Sequence, residues 1–426
     1  MSISILQGRL IDPAQGIDQV TDLHIAGSTV LAIGEPPAGF QAEEHIQAQG
    51  QVVCPGLVDI AASLREPGFT KKGTLATETA AAAKGGITTL VCTPDTNPVI
   101  DTPAVIELIH RKACTLARTR ILPTAALTRG LAGQHLSDMV ALQRAGAVGF
   151  SNVRRPFADT SVQRHALEYA ATFNVPVLLS PEDSTLSAEG CAHEGATATR
   201  LGLPGIPAVA ETVGLARDLA LAAHTGAQVH CRGISAAESI PFIQMAQRNR
   251  QAVSADVAVH HLHLTDWDLE GFDTRCHVAP PLRTLTDRDA LRQAVAAGVI
   301  GVICSDHQPH EPDAKTAPFA ATEPGISGLE TLLALTLRLV DEKVLSLPDA
   351  LARLTCGPAD VLGLPYGRLM VGQAADVCIF DPAAYWTLQA AQMSSKGRNT
   401  PFDGWEFKGQ VTHTVLQGQV VYRLGA

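Results

Sequence analysis

The sequence predicts an α/β fold, a (β/α)8 TIM barrel over residues 54–365 with a small β-domain built from both chain ends, 1–53 plus 366–426. Three observations carry this reading. Between residues 53 and 305, short β-branched or apolar runs alternate with longer segments of helical period, the pattern of repeated βα units. The two ends have another texture, short strand-like pieces separated by Gly-rich turns. The composition, 46% hydrophobic and only 4% aromatic in 426 residues, suits a large enzyme-like α/β scaffold without bias toward disorder.

In chain order, the first strand-like pieces fall at 4–10, 22–26 and 29–33. The barrel strands are then expected near 53–60, 88–93, 121–126, 147–151, 175–180, 227–231, 254–260 and 300–305. Between the fifth and sixth, residues 207–222 carry Val209, Val213, Ala216, Leu219 and Ala220 at helical spacing, with Pro207 suited to a first turn. The preceding G-L-P-G-I-P at 202–207 lacks the spacing of a phosphate loop and reads as a turn. The tail returns to strand-like texture at 376–380 and 411–422, and M-S-S-K-G-R-N-T at 393–400 reads as a mobile loop.

A formal net charge of −10 with no basic cluster argues against nucleic acid as a partner, and Lys71-Lys72 and Arg154-Arg155 read as solvated loop pairs. Nine cysteines, odd in number and without a C-x-x-C pair, point to reduced thiols serving as small core residues. There is neither a basic-then-apolar leader nor a run of about 18 apolar residues. The expectation is a cytoplasmic chain with no membrane segment.

Barrel enzymes carry their chemistry at the C-terminal strand ends. After the first strand, residues 59–68 read D-I-A-A-S-L-R-E-P-G, which resembles the D-x-H-x-H-L-R-E-P-G motif of dihydroorotases with Ala61 and Ser63 in the places of two metal-binding histidines. After the fourth, G-A-V-G-F-S-N is similar to G-A-V-A-F-S-D, so Asn152 stands where a metal-bridging carboxylate would. After the fifth, V-P-V-L-L-S-P-E-D resembles V-P-V-x-x-H-x-E-D and puts Ser180 at a histidine position. After the sixth, V-H-C-R-G-I-S resembles V-H-x-x-H-V-S, with Gly233 replacing the ligand histidine while His230 is kept. After the eighth, I-C-S-D-H-Q-P-H matches I-x-T-D-H-A-P-H and keeps Asp306, His307 and His310.

The resemblance, which runs from G-R-L-I-D-P at 8–13 to G-Q-V-V-Y at 418–422, implies a dihydroorotase-like amidohydrolase whose terminal domain is a β-sandwich. It also implies that Asp306 alone survives of six metal-binding positions. A catalytic zinc site needs at least three good protein ligands, so the expected cofactor is none, with zinc absent. Arg65 is kept where the family holds a substrate carboxylate, but Asp95 replaces an Asn of that subsite, and Ala279 replaces another while Arg283 is kept. Two like charges about 4 Å apart at an effective dielectric of 20 repel by about 4 kcal/mol, enough to offset one salt bridge.

Other groups invite a functional reading less strongly. His260, His261 and His263 form the densest histidine cluster, and His261 and His263 would share a face if the seventh strand ran through them, but H-H-L-x-L-T is a recurring segment of the family after that strand. Ser180 with Asp183 or His230 lacks a nucleophile elbow, and His307 and His310 lack an activated nucleophile to serve. Trp267, Trp386 and Trp405 read as core or domain-interface packing. The resemblance therefore implies a catalytically inactive homologue, a pseudoenzyme of pyrimidine biosynthesis. Such homologues are stable partners of aspartate carbamoyltransferase catalytic chains, which implies a hetero-oligomer. Two alternatives are an amidohydrolase with an altered metal site acting on a cyclic amide or ureide, and a binding module sensing a carboxylate metabolite through Arg65 and Arg283.

Overall fold

The computed structural model describes residues 2–425. The N-terminal strands are β1 (Ser2–Asp12), β2 (Ile17–Ala26), β3 (Thr29–Ile33), β4 (Glu44–Gln47) and β5 (Val52–Pro55). The barrel strands are β6 (Leu57–Ala62), β7 (Ile87–Cys92), β8 (Arg120–Ala126), β9 (Gly149–Ser151) and β10 (Val177–Leu179). After a short parallel pair, β11 (Ala192–His193) and β12 (Gly205–Ile206), the barrel resumes with β13 (Val229–Cys231), β14 (Val253–Ala258) and β15 (Val302–Cys304). The chain ends with β16 (Val377–Thr387), β17 (Glu406–Leu416) and β18 (Gln419–Arg423).

The two chain ends form one continuous mixed sheet, ordered β18-β17-β16-β5-β1-β2-β3 with β4 on the edge of β1. Alternation along β5 and β16 explains how it sits: Val53, Val377 and Ile379 join the sheet's own core, whereas Val52, Cys54, Cys378 and Phe380 pack in the barrel's cluster. These central strands are thus buried on both faces.

The first barrel strand begins later than its apolar run. Residues 52–55 pair with β1 and β16, and the chain leaves that sheet at Gly56, whose N–H donates to the Asp376 carbonyl at 2.9 Å. A Cβ at Gly56 would lie 2.2 Å from the Thr88 side chain, so only glycine permits this corner. The barrel strands β6 to β15 are parallel in sequence order. They alternate between an inner cluster with Val58, Ile60, Val91 and Leu178 and an outer one, against the helices, with Leu57, Leu90, Val177 and Val257.

The ring closes at its upper edge where the Ser63 N–H donates to the His307 carbonyl (2.8 Å) and the His307 N–H to that of Ala61 (3.1 Å). Buried Asp59 strengthens this seam by accepting from the Ser305 N–H at 3.0 Å and from its hydroxyl. At the lower edge, Val58 and Ile303 donate instead to Leu354 and Arg353, whose segment fills the gap.

The helix Ala208–Thr225 forms as expected but turns a different face inward. Val209, Val213 and Ala220 are exposed, while Leu215, Leu219 and Ala222 pack on the barrel. Glu211 decides the rotation: its buried carboxylate accepts from the N–H groups of Ser235 and Ala236 and from the hydroxyls of Ser235 and Ser239. Four charge-assisted bonds outweigh burial of two valines. Trp267 is also a correction, since it is 70% exposed, whereas Trp386 and Trp405 pack against Phe407.

The segment at 393–400 is pinned. Ser395 Oγ and the Lys396 N–H donate to Glu78, the Ser394 N–H donates to Glu330, and Asn399 bridges the His310 N–H to the Gln308 and Gly325 carbonyls. Local composition reads as loop, but buried acceptors hold it. All nine cysteines are free thiols, buried except Cys114 and Cys356. Among the described residues no helix is long and apolar enough to cross a membrane.

Candidate functional site

The strand ends meet at a cavity of about 510 Å3, within the range of small-metabolite pockets. Ala61, Ser63, Ser180, Gly233 and Asp306 line it together with Arg65 and Asp95, as the motif order implies. Asn152 lies in the wall of an adjoining recess that shares Arg154, Arg155 and Ser180 with it. His310 sits behind the wall, bonded to two residues that face the cavity.

The donor set does not fit a metal pair. Ser63 Oγ is bonded to Thr93 Oγ1 at 3.1 Å, and Asn152 Oδ1 accepts from the Thr128 hydroxyl (2.9 Å) and N–H (3.2 Å), facing away from the cavity. Gly233 offers no side chain. A Cβ there would lie 3.4 Å from Arg154 Nη2, so a guanidinium occupies the space beside the position of the expected histidine. Asp306 keeps a carboxylate at the mouth, held by Gln308 Nε2 at 3.2 Å. Among the described residues no three His, Cys, Asp or Glu side chains are grouped to hold a metal ion.

The kept residues of the substrate subsite are engaged with each other. Arg65 donates to the Pro309 carbonyl (3.2 Å) and contacts His310 Nε2 (3.2 Å), with Asp95 at 3.9 Å. Asp95 also accepts from the Thr93 hydroxyl at 2.5 Å. Arg65 is therefore partly neutralised by a group of its own protein. Burial, reinforced by the charges of Arg65 and Lys72, pushes His310 down to about 2, so it is neutral and a feeble base at any physiological pH. His307 is fully buried against Glu78 at 2.9 Å and faces no ligand.

The histidines after the seventh strand do not share a strand face. β14 ends at Ala258, and Val259–Leu262 form a 3-10 turn. His261 Nε2 is paired with the Pro280 carbonyl (3.2 Å) and His263 Nε2 with that of Leu335 (2.9 Å). Burial lowers His260 and His263 to about 3, and His261 well below the usual imidazole range. No Ser180 triad forms either: His230 bonds Ser254 and Asp256, and Asp183 accepts from Thr185 and Leu186. Arg283 is buried and bonded to Ser235 Oγ, His193 Nδ1 and the Ile206 carbonyl, outside the main cavity. Its guanidinium is thus engaged within the protein.

Several charged cavity residues escaped the motif reading. Lys72 and Arg154, expected in solvated pairs, face the cavity, as do Arg232 and Asp256. Burial raises the Asp256 carboxyl, but the His230 hydrogen bond and the charge of Arg232 hold it below the usual carboxylate range. Arg232 directly follows a predicted strand and Arg154 lies three residues past one, so the strand-end rule could have flagged both.

A barrel with its polar cavity at the C-terminal strand ends, flanked by a sheet from both termini, defines an amidohydrolase-type protein. A family profile described as Dihydro-orotase-like matches residues 50–239, and one described as Amidohydrolase family matches 193–422. A "Dihydroorotase-like protein" of Pseudomonas aeruginosa is 50% identical over 422 residues, covering 99% of this chain and all of the relative. A "Dihydroorotase" of Syntrophotalea carbinolica is 42% identical over 424 residues, covering the whole of both. The structure of L-hydantoinase from Arthrobacter aurescens matches with a TM-score of 0.90 at 24% identity, covering 100% of this chain and 96% of that one. The chain belongs to the dihydroorotase-like family of amidohydrolases.

Proposed function

We propose that this chain is a catalytically inactive dihydroorotase homologue, a structural subunit of an aspartate carbamoyltransferase complex in pyrimidine biosynthesis. One observation carries the inactive part: Ala61, Ser63, Asn152, Ser180 and Gly233 surround the barrel mouth with an apolar, neutral or absent side chain at every expected ligand position but Asp306. Without a metal, an attacking water keeps its pKa near ~15.7 instead of about 7, and the hydroxide supply at neutral pH collapses. Neutral His310 and fully buried His307 do not replace it.

The partner reading follows from the family resemblance and is supported by an intact fold around an eroded site. Selection on an interface maintains a barrel without maintaining its chemistry. The exposed stripe of Val209, Val213 and Ala220 on an outer helix is the kind of surface such an interface uses. The test is co-expression with the aspartate carbamoyltransferase chain of the same host, followed by sizing and a transferase assay. Co-elution, with transferase activity or stability that depends on this chain, is expected. Separate elution with a fully active lone transferase overturns the proposal.

A further inference from the structure

Arg232 is only 7% exposed, yet its guanidinium faces the barrel-mouth cavity. Among the described residues it makes no side-chain hydrogen bond and no ion pair, although its charge reaches Asp256. Its guanidinium nitrogens open into the cavity rather than onto protein acceptors, and guanidinium geometry matches carboxylate and phosphate oxygens. Arg154 lines the same cavity, and its nearest carboxylate, that of Glu182, is 3.8 Å away. Ser180 adds a hydroxyl on the same lining with no hydrogen-bond partner among the described residues.

Apart from Glu182, which pairs with Arg154 at 3.8 Å, the carboxylates nearby are engaged elsewhere. Asp256 is taken by His230 (3.0 Å) and the Gly233 N–H (2.6 Å), Asp306 by Gln308, Asp95 by Thr93, and Glu323 by Lys72 at 3.3 Å. Gly233 matters twice: its φ of +63° suits glycine, and its lack of a side chain leaves room for the Arg154 head.

We propose that the barrel mouth is an oxyanion-binding site, in which Arg232, Arg154 and the Ser180 hydroxyl hold the carboxylate or phosphate group of a small metabolite where the expected metal ligands are missing. The cations of the loop pair and of the sixth strand end thus take over the electrostatic role that metal ions play in active relatives. This rests on the reading that no metal occupies the mouth.

The experiment is calorimetric titration of the full-length chain, at constant ionic strength, with inorganic phosphate and separately with succinate. Saturable binding of at least one is expected, weakened about tenfold or more in Arg232→Gln and Arg154→Gln and unchanged in the distant Arg200→Gln. Phosphate-only binding assigns a phosphate ester, and succinate-only binding a carboxylate. No heat from either anion at about 20 mM, or binding untouched by both cavity variants, overturns the site. If Arg232→Gln fails to fold by circular dichroism, Arg154→Gln decides, because its side chain is 26% exposed. Metal analysis of the same preparation separates the failures: one zinc per chain would sink the inactive reading too, whereas a metal-free chain that ignores both anions removes only this inference.

Discussion

Asp306 carries its carboxylate on a backbone at φ +42°, a conformation that a non-glycine residue keeps only where its surroundings impose it. Here the closing hydrogen bonds through Ser305 and His307 impose it, so the one carboxylate kept among the expected ligand positions is held as part of the barrel seam. Seen this way, its retention says more about closure than about metal. Replacing Ala61 and Ser63 by histidine is accordingly expected to recover neither zinc nor dihydroorotate hydrolysis, because Asn152, Ser180 and Gly233 still lack donors and Arg154 adds a positive charge. Metal content and a hydrolysis assay of the double variant check this; stoichiometric zinc with turnover contradicts it. That these residues gather at the strand ends was legible in the sequence because flanking motifs fix their register. What they point at was not, because Asn152 turns its amide toward Thr128 only in the folded chain.

At the scale of elements, buried carboxylates organise what local pattern leaves open. Glu78, at the start of the helix Leu75–Lys84, accepts from His307 Nε2 (2.9 Å), Ser395 Oγ (2.6 Å) and the Lys396 N–H (3.1 Å), joining the first barrel helix, the last strand end and the tail segment. Glu78→Ala strands those donors and is expected to destabilise the chain by roughly 3–5 kcal/mol, read as a lower urea midpoint. An unchanged midpoint would show that the segment at 393–400 is not held this way. Glu211 similarly turns Val209 and Val213 outward. The double change Val209→Glu with Val213→Glu is expected to alter stability by no more than about 0.5 kcal/mol while abolishing co-elution with the transferase. Persistent co-elution would exclude this face from the interface. Helical period revealed the helix from sequence, but its inward face depended on a partner, Ser235, twenty-four residues on.

For the whole molecule, the histidines dominate the response to acid. Burial holds His260 and His263 at about 3, His277 at about 4 and His310 at about 2, all below an unfolded value near 6.5. Below pH 6.5 the unfolded chain binds more protons at these sites than the folded one, so their contribution is full above that pH and is lost as pH falls through the window. Each loses about 2 kcal/mol between pH 6.5 and 5. Asp218, raised to about 6 by burial, acts in the opposite sense between about 4 and 6, and Asp59 is also raised by burial, but these are two groups against four. A melting temperature that falls steeply from pH 6.5 to 5 is expected by differential scanning fluorimetry; a flat profile over that range contradicts the neutral assignments.

Alternation of apolar runs with helical segments determined the barrel, and motif register placed Ala61, Ser63, Asn152, Ser180, Gly233 and Asp306 at its strand ends, because both signals are local and repeat with the pitch of strand and helix. Only the tertiary structure decided that the chain changes sheets at Gly56, that Arg154 faces the mouth and that Arg232 lies there with no side-chain hydrogen bond or ion pair among the described residues. These depend on contacts between residues far apart in sequence, whose burial and charge no local pattern records.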